Sequence, residues 1–465
     1  MSHSITIPTP FARRAGLLAL GLATLLPMLA GSMANMALPA LGQVFAVPFA
    51  SVQWVLVAYL LGITCLTVVA GRLGDGVGRR RLLLWGVALF ALASLLCALA
   101  PTIGWLIAAR VLQGSGAACM LSLALAMVGQ LVPPARRGWG MGLLGTLSAC
   151  GTALGPSFGG LLIDGFGWQA PFLLLVPVSL LALGAGMVGL PPDGALPQRK
   201  RINLASLSML VVALLCYGLA LTSGGALALK LGVGALLVTA LFIRRERLES
   251  SPLLPLVLLA EPRLRGGLLA SALVASVMVV TLLIGPFYLH GMFELDMATI
   301  GLMISGGPLL AALTGMPAGW LVDRFGSRRI VRLGLMVMTI AALGLASLTA
   351  GYYGPLGYLL PILLLTAGYA LFQTANNSAV VGGASEQARG AVAGLLTLSR
   401  NLGQLAGAAG LGGLFATLVG THNLSMAMPT DLVFGTQLTF ALTGLLIGLA
   451  LWLVGRREEE ALIVV

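Results

Sequence analysis

Charge is what this chain has least of, and acid is scarcer than base. Asp, Glu, Lys and Arg make up only 9% of its 465 residues, with 14 acids against 26 bases. A soluble domain carries about a quarter charged residues, so an ordinary water-facing surface is excluded. The charges are also clustered, and none occurs in 15–71, 82–109, 111–135, 138–163, 165–192, 202–229, 266–293, 333–385 or 401–430. Histidine is limited to His3, His290 and His422; there is no His-Glu-x-x-His, no carboxylate pair within an apolar stretch and no Walker loop. A membrane-embedded enzyme or a nucleotide-driven pump would need one of those constellations. The cysteines Cys65, Cys97, Cys119, Cys150 and Cys216 fall at irregular spacing in apolar stretches, which suits small apolar side chains rather than disulfides or metal ligands. No metal or cofactor is expected.

What is present is apolar length. Hydrophobic residues make up 58% of the chain, with 63 glycines. A bilayer core of about 30 Å takes about 20 apolar residues per helix. On that measure spans are expected near 15–37, 50–70, 82–100, 103–129, 140–162, 168–190, 205–222, 227–243, 266–289, 298–320, 332–350, 355–382, 390–416 and 434–455. Span 227–243 is the weakest, being short and starting near Lys230. Arg13-Arg14 followed by an apolar run resembles a signal peptide, but the run is long enough to span, so an uncleaved first helix is expected.

Basic residues orient these spans. With a cytoplasmic N-terminus, 23 of the 26 Lys and Arg fall in inner segments, while the outer loops hold Asp164, Glu294, Asp296 and Asp431. This is the positive-inside pattern, and shifting the count by one helix destroys it. The expectation is a multi-pass protein of the cytoplasmic (inner) membrane with both termini cytoplasmic. The net charge of +12 then faces anionic lipid head groups, and a nucleic-acid reading has no further support.

One eleven-residue pattern, G-x-L-x-D-x-x-G-x-R-R, occurs twice. The first copy runs from Gly71 through Asp75, Gly78, Arg79 and Arg80 to Arg81, the second from Gly319 through Asp323 and Gly326 to Arg328 and Arg329. The copies join spans 2 and 3 and spans 10 and 11, equivalent positions in two six-helix bundles once spans 7 and 8 are set aside. The domains expected are therefore 1–195, an inserted helix pair with its linkers over 196–262, and 263–465. Internal duplication of this kind is the architecture of many secondary transporters.

Here the chain resembles the major facilitator superfamily, specifically its fourteen-span drug:proton antiporter branch. The loop at 71–81 matches that family's signature between spans 2 and 3, and Arg110-Val111-Leu112-Gln113-Gly114 matches its span-4 motif. The span-5 antiporter motif is matched by Gly151, Gly155, Pro156, Gly159 and Gly160. Gln53-Trp54 with Tyr59, Asn376-Asn377, Arg389-Gly390 and Arg400-Asn401-Leu402-Gly403 fit the pattern too. The resemblance implies an all-α integral membrane fold of two pseudo-two-fold six-helix bundles plus two inserted helices, carrying a small organic substrate, as a monomer. It also implies a gate-and-hinge role for the repeated loops, against the plainer reading of topology-setting basic loops. Small-xxx-small spacing in the antiporter motif lets helices approach closely. The resemblance reads that motif as an interface between the bundles; spacing alone allows generic packing.

Arg110 and Arg400 lie within spans, and intramembrane arginines normally face a cavity or a partner. Together with Asn35, Tyr59, Gln113, Phe372, Gln373, Asn376, Asn377 and Gln404, Arg400 is expected to line a central cavity; interhelical hydrogen bonding is the alternative for the amides. The branch typically has an acid five residues before the Asn of Asn35-Met36-Ala37-Leu38-Pro39, but that position is Ala30, and Leu175 stands at the family's span-6 Asn. With no acid deep in any span, the coupling candidates are Arg110, Asp164 and His290. A cavity with guanidinium groups and no carboxylate disfavours cations. The reading is proton-coupled efflux of neutral or anionic amphiphilic organics by alternating access. The alternatives are an uptake permease or uniporter and, from another class, a non-transporting sensor or scaffold.

Overall fold

A computed structural model describes residues 10–133, 137–193, 204–222, 225–249, 259, 261–347, 354–382, 389–420 and 427–463. The helices of the first half are α1 Pro10–Val44, α2 Phe49–Val77, α3 Arg79–Ala98, α4 Ile103–Leu131, α5 Arg137–Phe166 and α6 Ala170–Gly189. A pair follows, α7 Leu204–Thr222 and α8 Gly225–Leu248. The second half contains α9 Pro262–Phe293, α10 Met297–Phe325, α11 Ser327–Ala346, α12 Gly354–Gly382, α13 Arg389–Ala406, α14 Gly412–Val419 and α15 Pro429–Ile463. A π-helical segment, Gly407–Leu411, joins α13 to α14 into one crossing.

Among the described residues, 13 helical stretches are long and apolar enough to cross a membrane. The apolar part of α7, Ala205–Leu221, is shorter, so α7 and not α8 is the weak member of the inserted pair. The sequence pointed to the other helix because Lys230 breaks the apolar run, yet α8 carries that exposed charge within a 24-residue helix. The chain is a multi-pass membrane protein.

The packing pattern occurs twice. In the first half α1 packs on α5 and α6, α2 on α4, and α3 on α4 and α6. In the second, α9 packs on α13 and α15, α10 on α12, and α11 on α12 and α15. These are the same pairs under the duplication that the repeated loops announce. Close approach is achieved by glycine: a Cβ on Gly114 would collide with the Tyr59 carbonyl, which locks α4 to α2. Both repeated loops break their helix at a glycine with positive φ, Gly78 at 108° and Gly326 at 80°, a conformation that side chains disfavour. The end of the bundle holding these loops is called the loop end below, and the opposite one the far end.

Candidate transport site and gates

Arg110 sits on α4 with none of its surface exposed. Its Nε donates to the Val55 carbonyl at 3.0 Å, and its Nη1 donates to Gln113 Oε1. Gln113 Nε2 then donates to Ser94 Oγ at 2.8 Å, and Ser94 Oγ to the Phe90 carbonyl at 2.7 Å. The guanidinium carbon stands 4.0 Å from the Tyr59 ring centroid and 6.0 Å from that of Phe172. Tyr59 donates its hydroxyl to the Pro27 carbonyl at 2.7 Å. The named partners of this buried cation are thus a carbonyl, an amide and aromatic faces; Arg110 Nη2 is buried with no hydrogen-bond partner, as is Asn35 Oδ1. Burying a charge is costly unless it is fully paired, so this arrangement is poor value as a structural device.

The structure therefore divides the expected cavity residues. Asn35, Tyr59, Gln113, Phe372 and Asn376 are buried rather than on an accessible wall. Asn376 stitches α12 to α9, donating to the Gly267 carbonyl at 3.1 Å and to Ser271 Oγ at 2.8 Å. Gln373, Asn377, Arg400 and Gln404 stay half-exposed. On α12, Tyr369, Gln373 and Asn377 recur every four residues, and so do Arg400 and Gln404 on α13, each set on one helical face. Arg400 lies within electrostatic range of Tyr369, which relates the two strips. The accessible polar candidates thus belong to the second half, while the buried cation belongs to the first.

The antiporter motif has two faces. Gly151, Gly155 and Gly159 pack against Leu25, Ser32 and Met33 of α1 in their own half, not against the other bundle. Ser32 Oγ also donates to the Gly151 carbonyl at 3.2 Å. The opposite half is met by the next face. A Cβ on Gly160 would collide with the Met297 carbonyl of α10, and one on Gly301 with the carbonyl of Pro156. Between them Ser157 Oγ and Ser305 Oγ lie 2.6 Å apart, and Ser157 N–H donates to Ser305 Oγ at 2.9 Å.

The second half carries a counterpart that went unnoticed in the sequence. Gly403 and Gly407 press on Ala272 and Ser276 of α9 as Gly151 and Gly155 press on α1. Beyond them the π segment meets α2. Gln53, 1% exposed, donates from Nε2 to the Ala408 carbonyl and, at 3.2 Å, to that of Ala409. Phe49 and Phe287 make an edge contact beside it, with centroids 5.2 Å apart. Both seams between the halves are therefore closed toward the far end. The outer part of α7 leans on the second seam, with Gly218 near Trp54 and Leu61, and Leu221 near Gly410.

At the first repeated loop, Arg80 Nη2 donates to the Met187 carbonyl at the end of α6, at 2.7 Å. Its backbone N–H and that of Arg81 donate to Asp193 at 2.9 and 3.1 Å. Asp193 was missed because an acid just past a helix end carries no pattern of its own. Gly71 is helical, and its surroundings and the Asp75 side chain lie outside the described residues. Arg79 is half-buried. In the second copy Asp323, Arg328 and Arg329 are exposed, and Gly319 has no side-chain neighbour within 4 Å of a Cβ position. Of the coupling candidates, Asp164 is exposed at the far end of α5. His290 is half-buried, with Nδ1 2.9 Å from the Leu295 carbonyl in the α9–α10 turn.

Two duplicated six-helix halves, seamed at one end and each with a few polar groups buried in an apolar interior, are the architecture of a secondary transporter. The chain belongs to the Major Facilitator Superfamily, whose sequence profile matches residues 20–408. It is 30% identical over 389 residues to the "Riboflavin transporter RibZ" of Clostridioides difficile (strain 630), covering 83% of this chain and 84% of that one. It is 30% identical over 419 residues to the "Tetracenomycin C resistance and export protein" of Streptomyces glaucescens, covering 87% and 76%. Its fold superposes with a TM-score of 0.70 on a bacterial homolog of the human lysosomal transporter Spinster, at 16% identity and covering 96% of each chain.

Proposed function

We propose that this transporter exports small amphiphilic organic compounds, neutral or anionic, by alternating access. The observation that carries the reading is a pair of half-exposed strips, Gln373 and Asn377 on α12 and Arg400 and Gln404 on α13, with no Asp or Glu in either helix. A guanidinium attracts anions and repels cations in a low-dielectric space, while amides hydrogen-bond polar edges of an otherwise apolar solute. The named relatives support this, since one is a resistance and export protein and another a transporter of riboflavin. The far-end seams, held by Ser157 and Ser305 and by Gln53 with the π segment, act as the gate on that side. The repeated loops act as hinges at the loop end, which faces the cytoplasm with both termini. The two halves comprise 1–195 and 263–465, and the protein works as a monomer in the inner membrane.

Protons drive the export, with Arg110 as the coupling centre and Asp164 and His290 as proton donors at the far end. The lack of an acid deep in any span favours a second reading, uptake or uniport without protons. Purified protein in proteoliposomes under pH gradients of either sign separates the two. Coupled export predicts substrate accumulation that reverses with the gradient; equilibration independent of the gradient would mean uniport. Matched cationic and anionic substrates test the charge preference, and faster transport of the cation would sink it.

A further inference from the structure

The twin loops share one template but handle negative charge differently. In the first, a carboxylate is seated on the start of α3: Asp193 accepts from the backbone N–H of Arg80 and Arg81 at 2.9 and 3.1 Å. It lies so close that a Cβ on Gly78 would overlap it. The template thus builds an anion site from the backbone N–H groups at a helix start, and here the chain fills it from within.

In the second copy the equivalent residues are Gly326, Arg328 and Arg329, and among the described residues no carboxylate is seated on the start of α11. A Cβ on Gly326 would meet nothing within 4 Å. In place of the carboxylate there is an open surface concavity lined by Phe325, Gly326, Ser327, Arg328, Arg329 and Arg332. The surroundings are those of a membrane interface. Trp320 is 56% exposed and Phe325 44% exposed, and Arg324 lies over their rings at 5.2 and 5.5 Å. Exposed aromatics beside arginines mark headgroup depth.

We infer that this concavity binds the phosphate of an anionic phospholipid from the adjoining leaflet, which takes the place that Asp193 occupies in the first copy. Charge complementarity selects the ligand: Arg328 and Arg329 present exposed donors, and a guanidinium pairs with phosphate through two parallel hydrogen bonds. The neighbouring exposed Trp320 gives the glycerol and acyl carbons of such a lipid an apolar edge. The inference rests on the reading that the loop end faces the cytoplasm, where anionic lipids concentrate.

The test uses the purified full-length protein in neutral detergent, with lipid retention read by native mass spectrometry. Phosphatidylglycerol should be retained in preference to phosphatidylcholine. Arg328→Gln with Arg329→Gln should weaken its retention by roughly 30-fold, two basic groups' worth of surface attraction. Lysines at the same positions should restore it to within a few-fold, which separates charge from misfolding. Arg81→Gln in the first copy should change it less than threefold. Equal retention of both lipids, or an equal loss in Arg81→Gln, would overturn the proposal in favour of diffuse attraction. Full displacement by millimolar inorganic phosphate would make it a site for soluble anions. A lipid preference that emerges only when Glu458, Glu459 and Glu460 are changed to Gln would mean that the chain's own tail fills it. Retention is measured without transport, so failed export with retained lipid would count against the transport reading alone.

Discussion

The two far-end seams join the same two halves by opposite means. Between α5 and α10, backbone meets backbone: Gly160 and Gly301 give up their side chains so that each helix rests on the other's carbonyls. Between α2 and α13, one long side chain, Gln53, crosses a gap and docks on carbonyls in a π turn. A backbone seam is intolerant of added volume but indifferent to lost polarity. A side-chain seam is the reverse, because what it cannot lose is the amide.

The contrast can be broken deliberately. Gly160→Val should have the largest effect, with substrate flux in proteoliposomes down about 100-fold, since a branched side chain would force helices apart where only backbone can yield. Gly165→Ala, at an open position in the same helix, should change flux by less than twofold. Arg110→Met tests whether the buried cation serves stability or transport. Replacing a buried cation that has no acidic partner among the described residues removes its desolvation cost but leaves the Val55 carbonyl and Gln113 Oε1 without this donor, so the Tm should change little, while flux falls about tenfold or more. A lower Tm with normal flux would assign Arg110 to the scaffold.

Gln53→Leu keeps volume and removes the amide, so that the Ala408 carbonyl loses this donor, at about 1–3 kcal/mol. Flux should drop about tenfold, and a cysteine pair spanning Phe49 and Phe287 should cross-link more slowly. The smallest effect belongs to Ser157→Ala, about 0.5–1.5 kcal/mol. Combining it with Ser305→Ala should cost no more than Ser305→Ala alone, because Ser305 Oγ takes part in both contacts with Ser157, through the hydroxyl and the backbone N–H. Additive losses in that double variant would show that the serines act separately.

The fold was legible because membranes impose coarse rules. Apolar run lengths mark the crossings, and the doubled G-x-L-x-D-x-x-G-x-R-R places the duplication. What could not be read was the direction in which each side chain points. Gly151, Gly155 and Gly159 spell a close-packing stripe, but a stripe does not name the helix it touches, and the structure turns it toward α1. Tyr59, Gln113 and Asn376 read as cavity amides and phenol by depth, yet depth fixes only the level along the axis and not the azimuth. Gly403 and Gly407 were visible only as letters, since no proline or glycine triplet marks them as the antiporter motif's counterpart. The inserted helices reversed in rank because hydropathy weighs Lys230 as a break, whereas a helix end near water carries it easily.

A π turn holds one residue more than the α-turn it replaces. If Gly407–Leu411 wound as regular α-helix with every residue kept, Gly412–Val419 would turn by about 100° against everything before it. Phe415, now fully buried, would swing off its site, and the Ala408 carbonyl would turn away from Gln53. The far third of this crossing is therefore held in phase with its neighbours by one surplus residue, which makes chain length here as exacting as chemistry.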